Sequence, residues 1–147
     1  MWTILKIKAP TGENLIKQAL HGPFWCCLCK NNTEYSNHLF LTCSATKDLW
    51  NAILLNIPTQ CNWQALTIME AWSTWWNSAT LTKARNLPLL IYWAMWIARN
   101  RYIFQDTTSH WPSITACLLA DYHIIPDDEE NPPPRYIVPE IINHTQP

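Results

Sequence analysis

Four residues in the first third of the chain have the types and spacing of a metal site. Cys26, Cys29, His38 and Cys43 fall in the pattern C-x2-C-x8-H-x4-C within CCLCKNNTEYSNHLFLTC. Three thiolates and one imidazole are a common structural zinc set. A C-x2-C turn places two sulfurs on one side of a metal, and a second pair a short loop away fills the remaining tetrahedral corners. The polar loop Lys30 to Asn37 is long enough to make that return. Zinc suits the mixture because its filled d shell demands little geometry and its borderline softness accepts both sulfur and nitrogen. Four protein ligands close the coordination sphere, which favours a structural role over a catalytic one. The competing reading is that Cys29 and Cys43 are buried thiols beside a histidine at a helix start, and spacing alone does not separate the two. The register carries a second choice. Cys27 competes with Cys26, although C-x1-C makes a poorer metal turn, and Cys27 would then pack against Trp25 or Leu28. His21 could stand in as a ligand, but the closed set leaves it unnecessary. Cys61 and Cys117 have no partner cluster and read as buried thiols.

The elements that must hold this constellation read as helices. Thr11 can cap a short helix over Glu13 to Leu20, ended by Gly22 and Pro23. A loop or short hairpin then carries Cys26 to Glu34. Ser44 is a reasonable N-cap for a helix with Leu49, Trp50, Ile53 and Leu54 on one stripe, closed by Pro58. Asn62 would begin another through about Trp76, with Leu66, Met69, Trp72 and Trp76 on one face. Pro88 suits the first turn of a longer helix reaching Phe104. Ile114 to Tyr122 reads as a last helix, preceded by Trp111 and Pro112. The segment after Pro126, with its acidic run Asp127 to Glu130 and prolines 132 to 134, has no useful periodicity and reads as an extended or disordered tail. The expected fold is therefore mostly α: a small helical domain with a zinc-stapled loop or hairpin in its N-terminal half and a disordered C-terminal tail. Its expected divisions are a zinc-binding unit over 1–58, a Trp-rich helical extension packing on it over 59–125, and the tail over 126–147.

Composition agrees with a folded chain. Apolar residues make up 48% of the 147 and charged residues 14%, which excludes wholesale disorder. Ten tryptophans against two glycines supply large rings to bury and few tight glycine turns, so long sheets are not expected. Residues 1–105 carry a net charge of +5 and residues 106–147 of −6, a pattern compatible with a polyanion partner without requiring one. Met1 to Pro10 lack a signal-like apolar stretch, and Leu87 to Ala98 is too short to span a membrane. Six cysteines without a secretory signal point to a reducing, intracellular compartment, nucleus or cytoplasm undistinguished.

CCLC, Glu34, HLFLTC and the downstream Leu49-Trp50 resemble the zinc-binding domain near the C-terminus of plant non-LTR (LINE-type) retrotransposon reverse transcriptases. Pro10-Thr11-Gly12 with Leu15 is similar to that family's P-T-x-x-x-L element, and Trp93, Trp96, Arg99, Asn100 and Phe104 to its W-x-x-W-x-x-R-N-x-x-x-F helix. The resemblance extends over about residues 4 to 105. It implies one structural Zn2+ per chain held by Cys26, Cys29, His38 and Cys43, with Leu39, Phe40 and Trp50 as core beside the metal. Polymerase aspartates, an endonuclease and a ribonuclease H segment are all missing, so the resemblance implies a non-catalytic piece of a retroelement.

Two classes of function stay open. In one, the chain is an accessory module for RNA or DNA, with Lys83, Arg85, Arg99 and Arg101 as phosphate contacts; the same basic residues could simply complement a helix end. Trp72, Trp75, Trp76, Trp93 and Trp96 could offer stacking faces, but helical spacing makes burial the expected use of Trp72, Trp76, Trp93 and Trp96. In the other, it is a protein-interaction or scaffold domain, or a retroelement remnant with no cellular role. An enzyme is not expected: His110, Asp121 and His123 stand beside no nucleophile or paired carboxylate at a meaningful spacing. Neither a small-molecule substrate nor a membrane is an expected partner.

Overall fold

The structure is a computed structural model that describes residues 11–12, 25–59, 61–79 and 82–126. Among these residues, backbone order begins with an isolated antiparallel bridge between Trp25 and Thr33. A π-helical turn, His38–Thr42, follows, and then α1 (Ser44–Leu54), α2 (Ile68–Ser78), α3 (Thr82–Gln105) and α4 (Trp111–Ile124). No strand forms among the described residues, and the expected mostly helical class holds. The expected helix over Glu13 to Leu20 and the acidic tail lie outside the described residues.

One apolar core runs from Cys26 to Tyr122. Aromatic rings join its elements. Trp50 of α1 stacks on Trp63 of the following loop at 4.7 Å. Trp75 of α2 meets Trp50 at 5.2 Å, and Tyr92 of α3 meets both Trp63 at 5.5 Å and Phe40 of the π-turn at 5.0 Å. Offset and edge-to-face rings like these add about 0.5–1.5 kcal/mol per pair beyond the area they bury. Leu39 and Phe40 are fully buried and Trp50 nearly so, as the resemblance implied. Helix α4 packs on α1 and α3 through buried Leu118 and Tyr122.

Four element expectations need correction. Helix α1 starts at Ser44, with Cys43 rather than Ser44 in the cap position. Its buried stripe is Thr46, Leu49, Trp50 and Ile53, while Leu54 is only partly covered.

Helix α2 begins at Ile68, six residues after Asn62. Thr67 Oγ1 accepts the Glu70 N–H at 3.2 Å and Glu70 Oε2 accepts the Leu66 N–H at 3.1 Å, a reciprocal cap that fixes the start. The buried face is therefore Ile68, Ala71, Trp72 and Trp75, and Leu66 is exposed. The stretch before the cap stays irregular and lets Trp63 enter the core.

Pro88 lies inside α3 rather than in its first turn. A proline there removes the N–H that would bond the Ala84 carbonyl. That carbonyl instead accepts the Trp75 indole N–H at 2.8 Å, so the missing helix bond becomes the joint between α2 and α3.

Helix α4 already includes Trp111 and Pro112, the proline standing in the first turn where a missing N–H costs nothing. His110 caps it through its side chain, which accepts the Ser113 N–H. Two burial expectations also fail: Cys117 is exposed and Cys61 only half-buried, and Trp93 is 55% exposed.

Candidate metal centre

Local backbone structure builds the four-residue cluster from both sides. On the first side, the Trp25–Thr33 bridge and a Cys26 N–H to Asn32 carbonyl bond of 2.7 Å close the loop. Within it the Lys30 N–H bonds the Cys26 carbonyl at 2.8 Å, and Lys30 itself turns the chain with a positive φ of 58°. This turn brings the Cys26 and Cys29 side chains together. On the second side, His38 and Cys43 are five residues apart. In an α-helix, at 3.6 residues per turn, that separation would point them about 140° apart. The wider π-turn solves the problem: the Cys43 N–H bonds the His38 carbonyl at 2.7 Å, an i to i+5 bond that runs directly between these two cluster residues. The Asn37 carboxamide oxygen accepts the Ile68 N–H at 3.2 Å, so α2 holds the same turn from outside.

The ligand atoms of Cys26, Cys29, His38 and Cys43 all lie within 4.8 Å of one another. Cys26 Sγ and Cys43 Sγ are 3.8 Å apart, and Cys29 Sγ is 3.3 Å from His38 Nε2. A tetrahedron with zinc–sulfur bonds of about 2.3 Å has sulfur–sulfur edges of about 3.8 Å. The donor set thus fits a tetrahedral zinc ion in both chemistry and size. Cys26, His38 and Cys43 are buried and Cys29 is half-buried.

Proton affinities follow from this crowding. Cys43 is held below the usual thiol value, chiefly because the Cys26 thiol donates to it, and Cys26 is raised in return by that same bond and by burial. Two neighbouring sulfurs cannot both carry charge unless a cation stands between them. Burial also holds the His38 imidazole below its ordinary 6.5, although Glu34 pulls it upward. A neutral imidazole is the form that ligates metal. Nδ1 of His38 is 3.4 Å from Thr42 Oγ1, an outer partner that would leave Nε2 free to face the sulfurs.

Cys27 stands outside this cluster. Its Sγ turns away from the cluster to within 4.0 Å of Glu34 Oε2 and of the Arg99 carbonyl. Burial and the Glu34 charge push its thiol up to about 12.

Glu34 is what spacing alone missed. Its carboxylate is buried and takes Arg99 Nη2 at 2.8 Å and Arg99 Nε at 3.2 Å on Oε1, with the Gly12 N–H at 2.9 Å on the same oxygen. A Cβ on Gly12 would stand 3.1 Å from the Glu34 carbonyl oxygen, so a side chain there would press on the loop. The Arg99 guanidinium also lies over Trp96 at 5.3 Å and is only 4% exposed. The metal loop is thereby clamped to α3, 65 residues away in sequence. An arginine directly after the apolar run Trp96-Ile97-Ala98 and a lone acid between the Cys26/Cys29 and His38/Cys43 pairs were the signals available in the sequence.

Residues 1–50 match the family described as zinc-binding in reverse transcriptase. The matched segment contains all four cluster residues, Glu34 and Trp50, and stops before the W-x-x-W helix. Searches of curated proteins and of solved structures returned no match.

The basic residues read as phosphate contacts do not form one surface. Arg99 is withdrawn as a contact, because its charge is spent on Glu34 inside the protein. Lys83 lies over the Tyr122 ring at 5.4 Å and Arg85 over Trp76 at 5.9 Å. Arg101 is exposed and borders a groove between α3 and α4. No described helix is long and apolar enough to cross a membrane.

Proposed function

We propose that Cys26, Cys29, His38 and Cys43 hold one structural zinc ion, and that the chain is a non-catalytic module of the LINE-type retroelement class that engages nucleic acid. The convergence of four ligand atoms within 4.8 Å carries the zinc part of this reading. When bound, zinc supplies a cross-link between the loop and the π-turn. The protein supplies the rest: the Cys26–Lys30 turn sets the first two sulfurs, the i+5 bond sets His38 and Cys43, and the Glu34–Arg99 pair locks the loop on α3. Four protein donors leave no position for a substrate. The positive balance of residues 1–105 supports a polyanion partner for the module.

Native mass spectrometry before and after chelation, with circular dichroism on the same samples, tests the metal. One zinc per chain, lost together with much of the helix signal, is the expected result; no zinc and an unchanged spectrum would refute it. Nucleic-acid engagement is tested by titrating a labelled oligonucleotide at several salt concentrations. The logarithm of affinity should fall linearly with the logarithm of salt as phosphate counterions are released.

A protein-interaction role is the second reading, favoured by exposed Trp93 beside the groove between α3 and α4. Nuclease-resistant self-association or partner capture would support it.

A further inference from the structure

Trp25 immediately precedes the first ligand and is 63% exposed, although its backbone is pinned by the bridge to Thr33. The bridge thereby fixes the point of the loop at which this aromatic ring meets solvent. Beside it lies an open cavity of about 420 Å3 lined by Trp25, Cys26, Cys27, Lys30, Tyr102 and Ile103. Lys30 Nζ stands 5.3 Å over the Tyr102 ring, and Ile103 is partly exposed at the rim. None of the described residues that line it is acidic. Glu34, which meets Cys27 in the interior, is paired with Arg99 and shows no free charge to the cavity.

We infer that this surface, Trp25 with Lys30 and Tyr102, is where single-stranded nucleic acid docks, one base stacking on the Trp25 ring and the adjacent phosphate meeting Lys30. The inference rests on the nucleic-acid reading above and gives it a place. A single strand fits better than a duplex, because an unpaired base offers its face to an aromatic ring whereas a stacked duplex does not. The charge argues for nucleic acid over a peptide: among the described residues the rim carries a cation and no anion, on a body with a surplus of positive charge. Lys30 is held over the ring by the same turn that sets Cys26 and Cys29, so the surface should exist only while the loop is folded.

The test uses the full, zinc-loaded chain and fluorescence anisotropy with a labelled mixed-sequence single-stranded oligonucleotide and its duplex. The expected result is preference for the single strand. Trp25→Ala should weaken binding by about 5- to 150-fold, the worth of one base–aromatic stack, while Trp25→Phe retains most of it. Lys30→Ala should lower the magnitude of the log–log salt slope by about 0.7, one phosphate contact on a single strand. Zinc stoichiometry and circular dichroism of each variant report whether the loop is intact. Tight wild-type binding that Trp25→Ala leaves unchanged in a folded, zinc-loaded variant would overturn this surface and leave the nucleic-acid reading standing. Wild-type chain that binds neither oligonucleotide would overturn both. Self-association abolished by Trp25→Ala, without oligonucleotide binding, would reassign the surface to protein.

Discussion

Among the three neighbouring cysteines, the side chains separate two jobs that share one short motif. Cys26 faces Cys43 in the cluster, whereas Cys27 faces Glu34 and Arg99. Cys43→Ser should therefore lose stoichiometric zinc in native mass spectra and lower the melting temperature sharply, while Cys27→Ser should keep one zinc per chain. Equal retention of metal by both variants would sink the assignment. Arg99→Met should cost about 3–5 kcal/mol in denaturant unfolding, because it strands the Glu34 carboxylate in the interior. A double change, Glu34→Gln with Arg99→Met, should recover part of that loss, since replacing both partners removes the unpaired charge. His38 sets the pH response. The fold holds its pKa below the free value of 6.5, so the unfolded chain takes up the proton first. Its contribution is complete above about pH 6.5 and is lost as pH falls below that value. Metal binding needs the same neutral imidazole and works in the same direction, so the melting temperature of the zinc-loaded chain should drop between pH 7 and 5, and a flat profile would count against His38 as a ligand.

Among the elements, breaks in helical regularity do the positioning. The π-turn is required because an H-x4-C spacing cannot aim both side chains at one point from an α-helix. Pro88 frees the Ala84 carbonyl, and Trp75 takes it up. Trp75→Phe should cost about 1–3 kcal/mol for the stranded carbonyl beyond the change in ring volume, read as a lower denaturation midpoint with unchanged slope. A Trp75→Phe chain as stable as the parent would mean that water reaches that carbonyl. The start of α2 was legible as Thr67-Ile68-Met69-Glu70, a capping-box pattern, but Asn62 looked like the cap because it precedes an apolar pattern of its own. Trp63 could not be placed from periodicity, since its loop has none.

For the whole molecule, the metal loop and the helical core form one continuous body of contacts. Phe40 follows the cluster residue His38 by two positions and packs on Tyr92, while Glu34 is clamped to Arg99. Structural zinc contributes an apparent 10–16 kcal/mol or so in small domains, comparable to or above the roughly 5–15 kcal/mol stability of a whole one. Chelation should accordingly remove helix signal from α3 and the core, beyond the loop alone. Hydrogen exchange of α3 amides before and after chelation would show this, and protection of α3 that survives metal removal would separate the two parts.

The grouping of Cys26, Cys29, His38 and Cys43, the helical class and the burial of Trp50 were legible from residue types and spacing, because cysteine–histidine spacing and amphipathic periodicity are local properties, while the burial of Leu39 and Phe40 followed from the family resemblance. The Glu34–Arg99 clamp, the turning away of Cys27, the exposure of Trp25 and Trp93 and the exchange of the Ala84 carbonyl were decided in three dimensions. Each depends on which distant group arrives opposite. A buried charge is tolerated only when its partner comes from another element, and a tryptophan is core or surface according to what packs upon it.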